Sequence, residues 1–274
     1  MRRLLLVVQV SRPILWPVLP LVYYLGLHAA PAELTTAAIV QLLSLTLPMN
    51  LIGCGLNDIY DFDSDRRSER RRKIWGAVVG PADHMFVWRS AIAMAPLVIG
   101  AALYTKQPLN VAATIALVVV SWAYSVPPLR LKERPPLDSL SNGLGFFLLP
   151  FAMGYSLGAD PRQMSLKYYL LALAVCGIHA LATAADYEAD RAAGHRTFAV
   201  AFGRRAAAAF ALATFAVALV WGDYQSTAVQ IFLWTGTAAT LAAMLHPRDR
   251  TISAACVAVF FGFLLAAIWH LFCR

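Results

Sequence analysis

The sequence carries little charge for its length. Only 14% of its 274 residues are Asp, Glu, Lys or Arg, and 59% are hydrophobic. An ordinary soluble domain has roughly 25% charged residues. A chain of this size also has too much surface for its volume to hide so much apolar sequence in a soluble core. The composition therefore argues against a soluble enzyme, a disordered protein and a nucleic-acid-binding domain, and no nucleic acid is expected as a partner.

The sequence also lacks the usual signs of a disulfide framework or a zinc site. Its four cysteines form no Cys-x-x-Cys pair, and Cys54, Cys176 and Cys256 lie within apolar segments. The six histidines include no pair at spacing i, i+4. We therefore interpret the cysteines as packing residues and predict no histidine as a metal ligand.

Long apolar segments are what the sequence has instead. A membrane-spanning helix needs roughly 20 mostly apolar residues. Nine segments meet this description, at residues 12–31, 35–56, 85–104, 109–126, 138–158, 166–185, 205–222, 226–245 and 252–272. The first contains Pro13, Pro17 and Pro20 and is interpreted as a kinked span, because neighbouring groups can satisfy the backbone that proline interrupts. The predicted fold class is all-α, a polytopic membrane protein with nine transmembrane helices.

The charged residues are distributed unevenly between the two sides that nine spans define. With a cytoplasmic N-terminus, 19 of the 23 Lys and Arg residues lie on the cytoplasmic side, as do 12 of the 15 Asp and Glu residues. Cytoplasmic loops of membrane proteins carry an excess of Lys and Arg. We therefore predict a multi-pass integral membrane protein whose N-terminus and charged loops are cytoplasmic and whose C-terminus lies on the opposite side.

Two groups of acidic residues directly follow predicted spans. Asn57, Asp61 and Asp65 follow the second span at spacing i, i+4, i+8, and Asp186 and Asp190 follow the sixth at spacing i, i+4. On a helix each group lines one face, where like charges repel. A divalent cation would offset this repulsion, and oxygen ligands of this kind suit Mg²⁺. The alternative, a solvated charged loop, is disfavoured because the pattern occurs twice, four spans apart.

This four-span offset indicates an internal duplication. We predict a single domain over residues 1–274 that contains a pseudo-repeat. Spans one to four would occupy about 1–135, spans five to eight about 136–250, and span nine would continue to the C-terminus.

Basic residues follow both acidic groups, at 66–73 and 191–205, and a third basic stretch closes the fourth span at 124–132. If such a site bound a diphosphate, the four Asp carboxylates and the diphosphate would together carry a charge of about −7. Two Mg²⁺ ions would offset about +4 of this charge. Two or three Lys or Arg side chains would bring such a site near neutrality. Five other bases are interpreted as topological, namely Arg66, Arg71, Arg72, Arg204 and Arg205. Arg12, at the entry of the first span, is also interpreted as topological, with contact to the site as the alternative.

Together these motifs resemble the UbiA superfamily of intramembrane prenyltransferases. They are Asn-x-x-x-Asp-x-x-x-Asp at 57–65, Tyr-Ser-x-Pro-Pro-x-Arg-x-Lys at 124–132, and Asp-x-x-x-Asp at 186–190 with Gly194 and Thr197 after it. The resemblance implies helices around a central cavity that opens to the cytoplasmic side. It also implies an enzyme of the lipid bilayer that uses Mg²⁺ to ionise a polyprenyl diphosphate donor and transfers the prenyl group to a hydrophobic acceptor, such as a polyene, a quinone precursor or a lipid.

The resemblance further implies roles for individual residues. The predicted catalytic residues and Mg²⁺ ligands are Asp61, Asp65, Asp186 and Asp190, with Asn57 assisting through its amide oxygen. The predicted substrate-binding residues are Asn57, Arg70, Tyr124, Arg130, Lys132 and Arg191. Asp58 is predicted to cap a helix or to support the ligands.

One departure from the superfamily pattern narrows the expected acceptor. Many members with aromatic acceptors carry an Arg-Pro pair a few residues beyond the position of Arg70, and this chain has none there. The Asn-Asp-Ile-Tyr-Asp run at 57–61, with Gly76 and Ala77 after it, instead resembles the branch that includes carotenoid elongases. That branch prenylates lycopene-type polyenes.

Three other functions fit parts of the sequence. A UbiA-type terpene cyclase would ionise the same donor without an external acceptor. A phosphoribosyl transferase of this superfamily would use a polyprenyl phosphate. A cation transporter would also bind ions through acidic residues, but it predicts acids in the middle of spans, whereas here they follow span ends.

Overall fold

The computed structural model describes residues 2–66 and 78–272, and within these ranges the secondary structure is helical, without strands. The helices are α1 (Arg2–Val10), α2 (Val18–Ala29), α3 (Thr36–Ser44), α4 (Leu47–Asn50), α5 (Leu56–Tyr60), α6 (Phe62–Asp65), α7 (Pro81–Tyr104), α8 (Pro108–Ser125), α9 (Leu137–Gly143), α10 (Leu149–Tyr155), α11 (Leu166–Ala185), α12 (Tyr187–Ala193), α13 (Phe198–Phe202), α14 (Arg204–Trp221), α15 (Thr227–Leu245) and α16 (Asp249–Phe272). Short 3₁₀ segments occur at Pro13–Leu15, Leu131–Glu133 and Pro161–Gln163. Two π-helical segments, Leu51–Gly55 and Leu144–Leu148, join neighbouring helices. The predicted all-α class is confirmed for the described residues.

Several helical segments in the described part of the chain are long and apolar enough to cross a membrane. Seven qualify singly: Thr36–Tyr60, Pro81–Tyr104, Pro108–Ser125, Leu166–Ala185, Arg204–Trp221, Thr227–Leu245 and Asp249–Phe272. Arg2–Val10 and Pro13–Ala29 form a pair bent by 42°, which makes eight if the pair is one span. This bend falls at residues 11–12, directly before Pro13, and so lies at the start of the predicted first span and not at Pro17 or Pro20 inside it.

The predicted fifth span, 138–158, is helical over most of its length but is not among these candidates. Its first turns contain Asp138, Ser139, Ser141 and Asn142, and these polar side chains lower the mean hydropathy of the segment. A total of nine spans and a cavity open to the cytoplasm therefore stay predictions.

The chain divides into two compact units, of which unit 1 comprises Met1–Arg130 and Leu149–Gln163. In this unit α2 packs along α10. A Cβ atom on Gly26 would collide with the carbonyl oxygen of Phe151, and one on Gly154 would collide with that of Tyr23. Small residues at such contacts let membrane helices approach closely. The two glycines therefore set the distance between α2 and α10.

A buried hydrogen-bond network joins four helices of unit 1. Tyr23 Oη donates to Gln41 Oε1 at 3.0 Å, and Gln41 Nε2 donates to Asn110 Oδ1 and Thr114 Oγ1 at 2.5 and 3.1 Å. Asn110 Nδ2 donates both to Gln41 Oε1 at 2.9 Å and to the Met153 carbonyl oxygen at 2.7 Å. All four polar side chains are fully buried, and their amide groups are matched donor to acceptor. The network links α2, α3, α8 and α10.

Unit 2 comprises Leu131–Leu148 and Met164–Arg274. In it, α14 packs on α11 and α15, and α16 packs on α15 and α11. The contact of α11 with α14 is close, because a Cβ atom on Gly177 would meet Thr214 and the backbone of Ala211. Between α14 and α15 the rings of Phe215 and Phe232 meet edge to face, with centroids 5.4 Å apart. This packing holds α11, the helix after which the second acidic group begins, against its neighbours in unit 2.

Candidate functional site

The first acidic motif, Asn57 to Asp65, begins where the second span ends. α5 ends before Asp61, which takes φ −105° and ψ 9°, and α6 follows. The Asp61 N–H donates to the Asn57 carbonyl oxygen at 2.9 Å. This backbone conformation lies near the sparsely populated bridge region, where many active-site residues are found. The motif therefore consists of two short helical pieces that meet at Asp61, and the single helical face predicted from the spacing is interrupted there.

A hydrogen bond joins the first two predicted ligands. Asn57 Nδ2 donates to Asp61 Oδ2 at 2.8 Å, and it lies 3.5 Å from Ser125 Oγ at the end of α8. Asp61 is 9% exposed and Ser125 is fully buried. The amide donor therefore fixes the orientation of a largely buried carboxylate.

Arg12 reaches the same motif from the break between α1 and the following 3₁₀ segment. Its Nη2 donates to Asn57 Oδ1 at 3.3 Å and pairs with the Asp58 carboxylate. The side chain of Arg12 is 12% exposed and that of Asp58 is 1% exposed. A purely topological role for Arg12 does not account for these contacts. The supporting role predicted for Asp58 stays a prediction.

The stretch after α8 also reaches the first motif. Tyr124 is half-buried directly before Ser125. Arg130 adopts a left-handed backbone with φ 40°, and its Nη2 donates to the Tyr60 carbonyl oxygen at 3.3 Å. Unit 1 thus brings Arg130 and the end of α8 to the first motif.

The remaining predicted residues of this motif are Asp65 and Arg70. Asp65 is the last residue of α6. Arg70 lies outside the described residues. The role predicted for each stays a prediction.

The second acidic motif, Asp186 to Asp190, repeats the local geometry of the first. α11 ends before Asp186, which takes φ −96° and ψ 6°, and α12 follows. The Asp186 N–H donates to the carbonyl oxygen four residues before it at 3.2 Å. Within its own unit, Asp186 corresponds to Asp61, and Asp190 corresponds to Asp65.

The loop after α12 orients the Asp190 side chain. Gly194 turns the chain with φ 79°, a conformation that residues with a Cβ atom rarely adopt. The His195 N–H then donates to the Asp190 carbonyl oxygen at 2.9 Å, and Thr197 Oγ1 donates to Asp190 Oδ2 at 3.1 Å. Gly194 therefore allows the chain to turn, and Thr197 holds the Asp190 carboxylate.

The 131–133 segment and the start of α9 contact this loop within unit 2. His195 Nδ1 lies 2.5 Å from Glu133 Oε1, and the preceding residue, Lys132, is 5% exposed. The fully buried Asp138 accepts a hydrogen bond from the Phe198 N–H at 2.6 Å. These bonds connect the segment that carries Lys132 to the loop that orients Asp190.

Arg204 contacts the helix of the second motif. Its guanidinium lies 4.9 Å from the centroid of the Tyr187 ring, 3.5 Å from a Glu188 oxygen and 2.9 Å from an Asp249 oxygen. Its side chain is 20% exposed. These contacts assign Arg204 a role beyond topology. Arg191, which was predicted to bind substrate, is exposed on the same helix.

Sequence reasoning missed the residues that orient the acidic side chains. Thr197 was visible only as part of the second motif. Arg12 gave only the weak signal of its position at the entry of the first span, and Asp138 gave none, because their partners lie 45 and 60 residues away in the sequence. Such contacts depend on tertiary structure.

A sequence model of the UbiA prenyltransferase family matches residues 14–272. The chain belongs to the UbiA prenyltransferase family. By that membership it is a prenyltransferase, and together with its apolar helices it is an integral multi-pass membrane protein. The resemblance seen in the sequence motifs is confirmed.

Named relatives of this UbiA chain include two lycopene elongase/hydratases. The protein of Haloarcula japonica is 34% identical over 202 residues, which cover 71% of this chain and 66% of that protein. The protein of Corynebacterium glutamicum is 27% identical over 223 residues, which cover 80% of this chain and 77% of that protein. These relatives confirm the predicted resemblance to the carotenoid branch of the superfamily.

Among solved structures, the UbiA homolog from Archaeoglobus fulgidus bound to DMAPP and Mg²⁺ has a TM-score of 0.67 and 20% sequence identity to this chain. The match covers 96% of this chain and 99% of that one. It shows that the chain has the UbiA fold.

The donor atoms of the two motifs indicate which metal the UbiA chain could hold. Among the described residues, no three His, Cys, Asp or Glu side chains form a group suited to a metal ion. The motifs offer Asp carboxylates and one Asn amide. Mg²⁺ keeps several waters and is typically bound by one or two carboxylates together with substrate phosphates. The residues therefore fit Mg²⁺ that is bound together with a diphosphate.

Proposed function

We propose that this prenyltransferase is Mg²⁺-dependent and transfers the prenyl group of a polyprenyl diphosphate to a hydrophobic acceptor within the bilayer. The observation that carries the proposal is the shared geometry of the two acidic motifs. In each, an Asp stands at a helix break and a neighbouring side chain orients a carboxylate, as Asn57 does for Asp61 and Thr197 does for Asp190. The fold match to a protein bound to DMAPP and Mg²⁺ supports the same chemistry.

The proposed roles follow from charge. Asp61, Asp65, Asp186 and Asp190 hold Mg²⁺, and the basic and tyrosine side chains that bind the diphosphate are Arg70, Tyr124, Arg130, Lys132 and Arg191. When bound, Mg²⁺ would supply positive charge that stabilises the departing diphosphate. The chain's own bases add to that stabilisation as the allylic C–O bond breaks and negative charge collects on the leaving group. The apolar helices keep water from the resulting carbocation until the acceptor captures it.

The acceptor is proposed to be a polyene. Both relatives named above are lycopene elongase/hydratases, and the sequence lacks the Arg-Pro pair found in many aromatic-acceptor members. A polyene carries electron-rich double bonds, which can capture an allylic cation by forming a C–C bond. The positive charge then lies on the polyene and is discharged by loss of a proton or by addition of water. A quinone precursor or a lipid is the competing acceptor.

The proposed arrangement in the membrane has nine spans around a cavity that opens to the cytoplasm. The strongest support is the placement of 19 of the 23 Lys and Arg residues on one side. It puts the N-terminus in the cytoplasm and the C-terminus on the other side. Reporter fusions at each terminus, active only in the cytoplasm or only outside it, test this orientation directly.

A transfer assay tests the function. Membranes that contain the chain are incubated with Mg²⁺ and radiolabelled prenyl diphosphates of increasing length, with lycopene, with a lipid extract, or without acceptor. We expect labelled apolar product that depends on lycopene. Product that depends only on the lipid extract would replace the polyene by another acceptor. Product formed without any acceptor would instead establish the terpene cyclase.

A further inference from the structure

The side-chain amide of Asn57 can have only one orientation between its neighbours. An arginine guanidinium has donors and no acceptor, so the Asn57 atom that lies 3.3 Å from Arg12 Nη2 must be the amide oxygen. An ionised carboxylate only accepts, so the Asn57 atom that lies 2.8 Å from Asp61 Oδ2 must be the amide nitrogen. A flipped amide would face a donor with a donor and an acceptor with an acceptor. Arg12 and Asp61 therefore demand the same orientation.

The backbone of Arg12 is itself held in place. The residue adopts φ 53° and ψ 79° where α1 ends. This left-handed conformation is uncommon for a residue with a Cβ atom and persists only where surrounding structure supports it. Support comes from Trp16 Nε1, which donates to the Ser11 hydroxyl and carbonyl oxygens at 3.0 and 3.2 Å, and Ser11 is fully buried.

The guanidinium of Arg12 is also held close to the motif by an ion pair. It pairs with Asp58, whose side chain is 1% exposed. A buried ion pair holds its geometry because separating the partners leaves an uncompensated buried charge. Arg12 is therefore anchored on Asp58 while it contacts Asn57.

We propose that Arg12 is a positioning residue for the first acidic motif. It fixes the amide of Asn57 so that the amide nitrogen holds the Asp61 carboxylate in one orientation. In this arrangement Asn57 acts as a donor to Asp61 through its amide nitrogen, and its amide oxygen, which has two lone pairs, keeps one for the coordination that the sequence predicted. The inference rests on the proposed function, because Asp61 is a ligand only if the motif binds Mg²⁺.

The test uses the full chain purified in detergent, with Mn²⁺ as a paramagnetic probe of the Mg²⁺ site. The informative variant is the double change Arg12→Gln with Asp58→Asn, which removes both charges and leaves no unpaired ion. The matched control is Arg2→Gln, because Arg2 belongs to the preceding helix and its side chain is 88% exposed. Mn²⁺ affinity is measured by electron paramagnetic resonance, and folding is measured by thermal unfolding without metal.

We expect the double variant to bind Mn²⁺ about 10-fold more weakly or worse, the range seen when outer-shell partners of metal ligands are removed. The Arg2→Gln control should bind as the unchanged protein does. Turnover of the double variant should recover as Mg²⁺ is raised, because the defect lies in metal binding. A general folding defect would lower turnover at every Mg²⁺ concentration.

Each outcome is decisive. A folded double variant with unchanged Mn²⁺ affinity overturns the positioning role. If the double variant does not fold, Arg12→Lys decides, since it keeps a cation for Asp58 on a side chain without the guanidinium fork. We expect intermediate affinity for Arg12→Lys, and unchanged affinity would again overturn the proposal. Absence of Mn²⁺ binding and of transfer in the unchanged protein would instead refute the proposed function.

Discussion

Asp61 and Asp186 adopt the same backbone conformation, φ −105° and ψ 9° in one and φ −96° and ψ 6° in the other. Each stands directly after the helix that ends a span, each begins a short helix, and each precedes a second Asp by four residues. An internal duplication would produce such a recurrence. The shared geometry predicts equivalent roles for the two residues.

Asp61→Ala and Asp186→Ala should reduce prenyl transfer to a similar extent, by about 100-fold or more, because each removes several kcal/mol of metal-mediated charge stabilisation. Transfer is measured with radiolabelled donor at saturating Mg²⁺. Asp63→Ala is the control, since its side chain is 70% exposed and pairs with Arg66 at 3.4 Å on the surface. Near-normal transfer in either motif variant, with the protein inserted normally, would contradict the assigned roles.

Metal removal should stop turnover reversibly. EDTA is expected to abolish transfer, and Mg²⁺ added in excess is expected to restore it, because without the cation the motif carboxylates repel the diphosphate. Product is counted before chelation, after it and after Mg²⁺ is added back. Turnover that persists in EDTA would rule out the two-motif mechanism.

Thr197→Val should weaken Mg²⁺ binding while leaving the fold intact. The change keeps the shape of the side chain but removes the hydroxyl that donates to Asp190 Oδ2 at 3.1 Å. Loss of such an outer partner typically costs 10–100-fold in metal affinity or activity, so the Mg²⁺ concentration for half-maximal transfer should rise by about 10-fold. Thr197→Ser retains the hydroxyl and should behave almost normally. Equal defects in both variants would point to packing of the methyl group instead.

Arg204→Gln should destabilise the helix of the second motif, and Arg205→Gln should not. Arg204 lies over Tyr187 and pairs with Glu188 and Asp249, whereas Arg205 is exposed. A cation–π contact and partly exposed ion pairs together contribute about 1–2 kcal/mol. Hydrogen exchange of the α12 amides should therefore be about 10-fold faster in Arg204→Gln. Matching exchange rates in the two variants would return Arg204 to a topological role.

Gly154→Ala should lower the melting temperature, whereas Gly100→Ala should not. A Cβ atom at Gly154 would collide with the Tyr23 carbonyl oxygen, but one at Gly100 would have no atom within 4 Å. Overpacking of this kind typically costs about 1–3 kcal/mol, and alanine in an open helical position is neutral or favourable. Thermal unfolding in detergent compares the two. An unchanged melting temperature for Gly154→Ala would mean that α2 and α10 separate easily.

The sequence was informative wherever a property repeats along the chain. Apolar length predicted helices and spans, because the bilayer imposes a minimum length, and the i, i+4 spacing identified the two acidic motifs. Spacing could not reveal the helix break at Asp61, because that break depends on a single backbone conformation. The orientation of the Asn57 amide was equally hidden, since it depends on Arg12, 45 residues earlier. The polar start of the predicted fifth span shows the limit of a hydropathy argument, because Asp138 is buried and bonded to Phe198 rather than exposed to lipid.

The network of Tyr23, Gln41, Asn110 and Thr114 has a mechanical consequence. In an apolar environment no water replaces a lost hydrogen bond, so sliding one of these helices past another would strand several polar groups, each at a cost of about 2–7 kcal/mol. The four helices that the network joins must therefore move as one rigid body. Any motion of unit 1 during turnover is confined to segments outside this hydrogen-bond network. Those segments include the helix break at Asp61.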